Sequence, residues 1–67
     1  MKRGDFIYAW DNHNGHEVDA VKGKAFRLKF VTEYAGSYWC EDGDNLMGWH
    51  NAITETEYDK LYAEVHK

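Results

Sequence analysis

The chain has 67 residues, a formal net charge of −4 and one cysteine, Cys40, which together allow a single small domain and exclude an internal disulfide. No apolar run approaches the ~20 residues that cross a bilayer, so we expect no membrane partner. With no apolar leader, the lone thiol predicts a reducing, cytoplasmic location. A core of this size supplies little stability, and three Trp, five Tyr and three Phe indicate that aromatic burial takes the place of a disulfide.

The charge is unevenly distributed along the chain. Residues 1–31 carry six cationic and four acidic side chains, whereas residues 32–67 carry two and eight. An acidic surface repels nucleic-acid phosphates and attracts basic partners. The alternative interpretation is a solvated face that keeps a small protein soluble.

The N-terminal part of the chain predicts a strand, a turn and a weaker strand. Residues 5–10 alternate between aromatic and aliphatic positions, which is typical of a strand with one aromatic face. The aromatic positions are Phe6, Tyr8 and Trp10. Residues 11–16 form a turn cluster in which Asn14-Gly15 suits a tight reversal. Residues 16–21 alternate less clearly and predict a returning strand, followed by a second turn at residues 22–24.

The clearest strand pattern of the chain follows this turn. Residues 25–32 predict a strand with one apolar face and one mostly basic face. The apolar positions Phe26, Leu28 and Phe30 alternate with Arg27, Lys29 and Val31. Residues 33–37 contain a glycine and predict a loop.

Two further strands are predicted before the C-terminal segment. Residues 38–41 form a short aromatic run that predicts a strand, and residues 42–45 are a dense turn signal. Residues 46–53 predict a returning strand. Within it, Gly48 indicates a bulge or a close approach of another part of the protein.

The C-terminal segment predicts a helix over residues 55–66. Thr54 and Glu57 have the spacing of a capping box. Apolar residues then recur at helical spacing, at Tyr58, Leu61, Tyr62 and Val65. The fold class expected from the whole pattern is mainly β: a small antiparallel barrel or meander of about five strands over residues 5–53, with one C-terminal α-helix.

A succession of short motifs runs through the middle of the chain: a glycine turn at residues 21–24, an alternating strand at 26–31, an aromatic strand and turn at 38–42, and the pair Gly48-Trp49. This order resembles that of SH3-like small β-barrels, and the resemblance covers residues 20–53. It implies a small barrel fold. Because short phage and bacterial proteins of this type look similar, it also implies a phage or mobile-element origin. A fold does not fix a function.

Two sets of side chains carry metal-ligating chemistry. His13 and His16 lie close in sequence with Asp11 nearby, and Cys40 and His50 flank one turn. Structural zinc usually takes four ligands, often as paired cysteines or histidines, whereas this chain offers a single sulfur. We therefore expect no metal and no other cofactor. We interpret the histidines as solvated loop residues and the thiol as a small buried hydrophobe.

Catalysis by a nucleophile would require a base and an orienting group beside Cys40. His50 is a candidate base. However, the aromatic neighbours of the cysteine predict a packed strand, and Glu41 would raise the thiol pKa rather than lower it. The sequence also contains no glycine-rich phosphate loop. We therefore expect a protein without enzymatic activity.

The leading functional hypothesis is a non-enzymatic module that binds another protein with a basic surface. Tyr and Trp are the usual anchors of protein interfaces, and here they accompany a segregated acidic half. The predicted anchors are Tyr34, Tyr38, Trp39 and Trp49, and the predicted acidic rim is Glu41, Asp42 and Asp44.

Two alternative functions use other features of the sequence. A small-barrel nucleic-acid binder would combine a basic strip with exposed rings on which bases stack. The predicted strip consists of Lys22, Lys24, Arg27 and Lys29. The other alternative is self-association through a sheet edge or through the aromatic surface, and the sequence leaves the oligomeric state open.

Overall fold

The computed structural model describes residues 1–11 and 17–66. These contain five strands and two helical regions, of which the first combines a short α-helix with a π-helical stretch and the second is one α-helix. In chain order the elements are β1 (Phe6–Trp10), α1 (Glu17–Asp19), a π-helical stretch (Ala20–Lys24), β2 (Phe26–Tyr34), β3 (Ser37–Asp42), β4 (Asn45–Trp49), β5 (Asn51–Thr54) and α2 (Glu55–Val65). All neighbouring strands are antiparallel, in the order β4-β3-β2-β1-β5. This confirms the predicted mainly-β class with a C-terminal helix, and the sheet is unclosed.

The main core lies on the inner face of the sheet. Ile7 lies opposite Leu28 in the strand pairing, and Phe30 lies opposite Cys40. With Ala9, these side chains form one cluster in which each is at most 7% exposed. Burial of Ile7, Leu28 or Phe30 contributes about 1.5–3 kcal/mol each. The alternation in β1 and β2 therefore fixes the register of the sheet, because a slip by one residue would expose the whole cluster.

The helical regions pack on the outer face of the sheet, at the end formed by β1 and β5. Trp10, Ala20 and Ile53 are buried there as a second cluster. Tyr58 of α2 stacks on Tyr8 of β1, with ring centroids 3.6 Å apart and an interplanar angle of 8°. Desolvation at this contact raises the pKa of the Tyr58 phenol. The helical stripe predicted from the sequence thus covers part of the sheet.

The predicted returning strand at residues 16–21 is wrong. From residue 17 onward this segment is helical, and Ala20 and Val21 are both buried, at 1% and 3% exposure. Two consecutive buried residues suit a helical turn that packs on β1, whereas a strand with one buried face would alternate them. The predicted turn at residues 11–16 lies, apart from Asp11, outside the described residues.

The predicted strand over residues 46–53 is divided in two at His50. The His50 backbone N–H donates to Asp11 Oδ1 at 2.9 Å, and the ring Nδ1 lies 2.9 Å from the same oxygen. From this bend β5 leaves β4 and pairs with β1, where Ile53 lies opposite Tyr8. The two edge strands of the sheet are therefore consecutive in the chain, joined through one residue.

Helix α2 begins at the predicted capping box. The Glu57 backbone N–H donates to Thr54 Oγ1 at 3.1 Å, and the Thr54 N–H donates to Glu57 Oε1 at 3.4 Å. After the helix, the His66 ring Nε2 lies 2.8 Å from the Val21 carbonyl oxygen, which ties the helix terminus to the π-helical stretch. Within the described residues, no helix combines the length and the apolar character that a bilayer crossing requires.

Replacing Thr54 with Ala will lower the free energy of unfolding by about 1 kcal/mol, because the N–H of Glu57 loses its acceptor. The matched control is Thr56→Ala, which removes an exposed threonine from the first turn of the same helix. Thermal unfolding followed by circular dichroism measures both changes. Equal losses of stability in the two variants would contradict a specific role for the cap.

Candidate functional site

The outer face of β2, β3 and β4 carries apolar side chains beyond the part of the sheet on which α2 packs. Trp39 lies opposite Gly48 in the strand pairing, and Glu41 lies opposite Leu46. Because strand side chains alternate, these residues share one face. Tyr34 is 71% exposed and Leu46 is 55% exposed, whereas Trp39 is half-buried. We call Tyr34, Trp39 and Leu46 the outer patch.

The Trp39 indole lies across β4, over Gly48. A Cβ atom on Gly48 would lie 3.3 Å from three carbons of the ring, so the indole occupies the space of the missing side chain. Its Nε1 donates a hydrogen bond to the Tyr34 carbonyl oxygen at 3.2 Å. The ring is thus held in place by two contacts, and less conformational entropy is lost when a partner packs on it.

A β-bulge in β2 places Tyr34 on the same face as Trp39. Phe30 lies opposite Cys40 in the core, but the next aligned pair is Thr32 with Trp39. Two steps along β2 therefore correspond to one step along β3. Beyond this point, the even-numbered side chains of β2 lie on the outer face, whereas before it they lie on the inner face. Without the bulge, Tyr34 would share the inner face with Phe30, and the outer patch would lack its most exposed ring.

The predicted acidic rim lies on the β3–β4 hairpin, next to the outer patch. Its three members Glu41, Asp42 and Asp44 are all exposed. Glu41 and Asp44 line an open groove of about 360 Å³ together with Leu46, and Arg3 also lines that groove. The acidic and apolar parts of the predicted site are therefore contiguous, and one cation lies beside them.

Tyr38 and Trp49, also predicted as anchors, lie on the inner face. The two residues are opposite each other in the β3–β4 pairing, and both are partly buried against the main core. The Phe26 ring lies 5.5 Å from the Trp49 ring, centroid to centroid. The Trp49 Nε1 is buried without an acceptor among the described residues. The structure thus brings Tyr34 and Trp39 together and separates them from the other two predicted anchors.

The cations of the predicted basic strip are divided between two elements. Lys22 and Lys24 lie in the π-helical stretch, and Arg27 and Lys29 lie in β2. Arg27 Nε is 2.7 Å from Glu55 Oε2, and its guanidinium lies 3.9 Å from the centroid of the Phe6 ring. The hydrogen bond to Glu55 raises the pKa of Arg27. A carboxylate of the chain itself therefore compensates the charge of Arg27.

Cys40 and His50 do not form a common site. Cys40 is fully buried in the main core, and desolvation raises the pKa of its thiol, which keeps the sulfur protonated. His50 is exposed and contacts Asp11 instead. The predicted pair His13 and His16 lies outside the described residues. In the described part of the chain, no three His, Cys, Asp or Glu side chains are grouped so that they could hold a metal ion.

Comparison of the chain with protein-family models, with curated proteins and with solved structures returns no match.

Proposed function

We propose that this protein is a non-enzymatic interaction module whose outer patch binds a basic segment of another protein. The observation that carries the proposal is the Trp39 indole, which is held over Gly48 and hydrogen-bonded to the Tyr34 backbone on an exposed sheet face. Tyr and Trp dominate the binding energy of protein interfaces, especially when they are ordered before binding. The cytoplasmic location and the phage or mobile-element origin expected from the sequence belong to the same proposal.

The outer patch offers apolar contact area at low entropic cost. Tyr34 and Leu46 are exposed on either side of the half-buried Trp39, so a partner can cover all three side chains. Burial of apolar surface is worth roughly 25 cal/mol per Å². Tyr38 and Trp49 are not part of this proposed contact, because they pack against the core.

The acidic rim defines the chemistry of the partner. Glu41 and Asp44 lie beside Leu46 on one groove, so a Lys or Arg of the partner would meet a carboxylate next to its apolar contact. Exposed charges of this kind mainly accelerate association and select against acidic partners. The affinity should therefore fall with increasing salt, while the apolar contact is retained.

We also propose that the fold is related to SH3-like barrels. The support for this is the pairing of β5 with β1, which places the first and last of the described strands side by side, while β4 and β5 remain the two edges of the unclosed sheet. A closed barrel would require these two edges to pair as well.

A displayed library of random peptides, selected against the purified protein, tests the proposed function. We expect enrichment of peptides rich in Lys and Arg. For an enriched peptide, Trp39→Ala and Tyr34→Ala should each weaken binding by about thirtyfold, the size typical of an interface hot spot. Tyr62→Ala is the matched control, because it removes a 46% exposed tyrosine from α2, outside the outer patch. Unchanged affinity of Trp39→Ala would refute the proposal.

The nucleic-acid alternative predicts a different pattern of variants. Its structural support is Phe6, which is 43% exposed with Arg27 over its ring and Lys29 Nζ 6.0 Å from its centroid. A salt-dependent mobility shift with short single-stranded DNA or RNA that Lys29→Glu abolishes and Trp39→Ala leaves intact would favour this alternative.

A further inference from the structure

Strand β4 is an edge strand whose own residues provide no charge, proline or bulge to protect that edge. Among the described residues its one strand neighbour is β3. Its sequence, Asn45–Trp49, contains neither a charged residue nor a proline. Leu46 and Met47 are adjacent and therefore on opposite faces, and they are 55% and 44% exposed. Exposed edge strands usually carry a lysine, a proline or a bulge, because their free N–H and C=O groups pair readily with another chain.

We propose that β4 pairs antiparallel with β4 of a second copy of this chain, so that one continuous sheet runs through a symmetric dimer. The two-fold axis passes beside Met47, which lies opposite its own equivalent. Leu46 then lies opposite Gly48, and Asn45 lies opposite Trp49, so the whole strand is paired. A two-fold interface is self-complementary by construction, since each contact occurs twice.

The outer faces of the two copies fit together in this register. The Trp39 indole covers Gly48 within each copy, with ring atoms 3.3 Å from the position of a Cβ. Side chains opposite each other on paired strands have Cβ atoms about 4.5–5.5 Å apart. Leu46 of the second copy therefore packs against the edge of the Trp39 ring. The space that a side chain on Gly48 would fill is occupied by these two groups.

Charge selects the same register. In this register the two acidic hairpins lie at opposite ends of the interface, each beyond the paired residues 45–49. A register that overlapped the two hairpins would instead place Asp44 against its own equivalent, and like charges directly opposite are destabilising. The uncharged strand and the separated hairpins both favour the pairing centred on Met47.

Sedimentation of the purified full-length chain over a range of concentrations tests the dimer. We expect a reversible monomer–dimer equilibrium that Met47→Lys weakens at least about tenfold, because two ammonium groups then lie opposite each other. Tyr34→Lys is the matched control, since it places the same charge at an exposed position at the far end of β2. A wild-type chain that stays monomeric up to roughly millimolar concentration, or equal weakening by both variants, would overturn the proposal.

A disulfide tests the register independently. Residues opposite each other in an antiparallel pair have Cα atoms about 4.5–5.5 Å apart, within the range that a disulfide spans. In a Cys40→Ala background, which removes the native thiol that lies opposite Met47 within the same chain, Met47→Cys should therefore give a covalent dimer under mild oxidation, while Tyr34→Cys should not exceed the background of random collisions. Equal crosslinking of the two variants would exclude this register. No other protein is present in either experiment, so failure of the dimer and failure of the proposed function are distinguishable.

Discussion

Trp10→Ala will leave the protein unfolded at room temperature. Trp10 is 1% exposed and is the largest fully buried side chain among the described residues. It belongs to the cluster with Ala20 and Ile53 that joins the sheet to the helical regions. Truncation of a buried tryptophan costs about 3–5 kcal/mol. The core of a domain of this size supplies roughly the same amount in total, so little or no stability remains.

Far-ultraviolet circular dichroism and the dispersion of amide proton signals measure this outcome. Trp39→Ala is the matched control, because it removes the same side chain from a half-buried position, and it should remain folded. Trp10→Phe should also remain folded, since the Trp10 Nε1 has no acceptor among the described residues and its loss leaves no partner unsatisfied. A cooperative melting transition for Trp10→Ala above room temperature would show that the second cluster contributes less than its burial indicates.

Gly48→Val will displace the Trp39 indole from β4. A single Cβ at this position already lies 3.3 Å from three ring atoms, and the two methyl groups of valine require more space. The displaced ring loses its hydrogen bond to the Tyr34 carbonyl oxygen, which is 3.2 Å long in the native protein. We expect a stability cost of about 1–3 kcal/mol from the forced repacking, together with loss of the binding surface.

Nuclear magnetic resonance resolves this change in one spectrum, because each tryptophan gives a separate indole N–H signal. In Gly48→Val the Trp39 signal should shift and exchange faster with solvent, while the signals of Trp10 and Trp49, whose Nε1 atoms are buried, should remain in place. Leu46→Val provides the control, since it introduces valine on the same face of β4 without a clash. An unperturbed Trp39 signal in Gly48→Val would mean that the ring does not depend on the glycine.

Much of the sheet could be predicted because its core follows local periodicity. Alternation identified β1 and most of β2, and the turn at residues 42–45 fixed the hairpin between β3 and β4. The capping box located the start of α2 at the correct residue. In each of these cases the decisive information lies within a few consecutive residues.

The errors arose where distant contacts determine the structure. Residues 17–21 are helical, and not a strand, because Ala20 packs with Trp10 and Ile53, a contact that no local pattern reveals. The bend at His50 depends on Asp11, which lies 39 residues earlier. In both cases the sequence alternates as a strand does, but tertiary packing, which the alternation does not encode, decided the conformation.

In the candidate site, too, local patterns identified residues, whereas distant contacts determined how those residues are arranged. The sequence identified Tyr34 and Trp39 as candidate anchors, but their common face depends on the bulge after Phe30, which is set by pairing with β3. The compensation of Arg27 by Glu55 joins residues 28 positions apart. Alternation alone therefore cannot separate the exposed rings from those that pack against the core.

The one-residue link between β4 and β5 also determines where the chain can change in length. An extra residue beside His50 would shift the register of β5 on β1 and turn Ile53 away from the face on which it is buried. Residues 22–24, the exposed connection into β2, can instead absorb an insertion without moving a strand. Insertions and deletions acquired during evolution should accumulate in that connection, and it is the place to graft a reporter peptide.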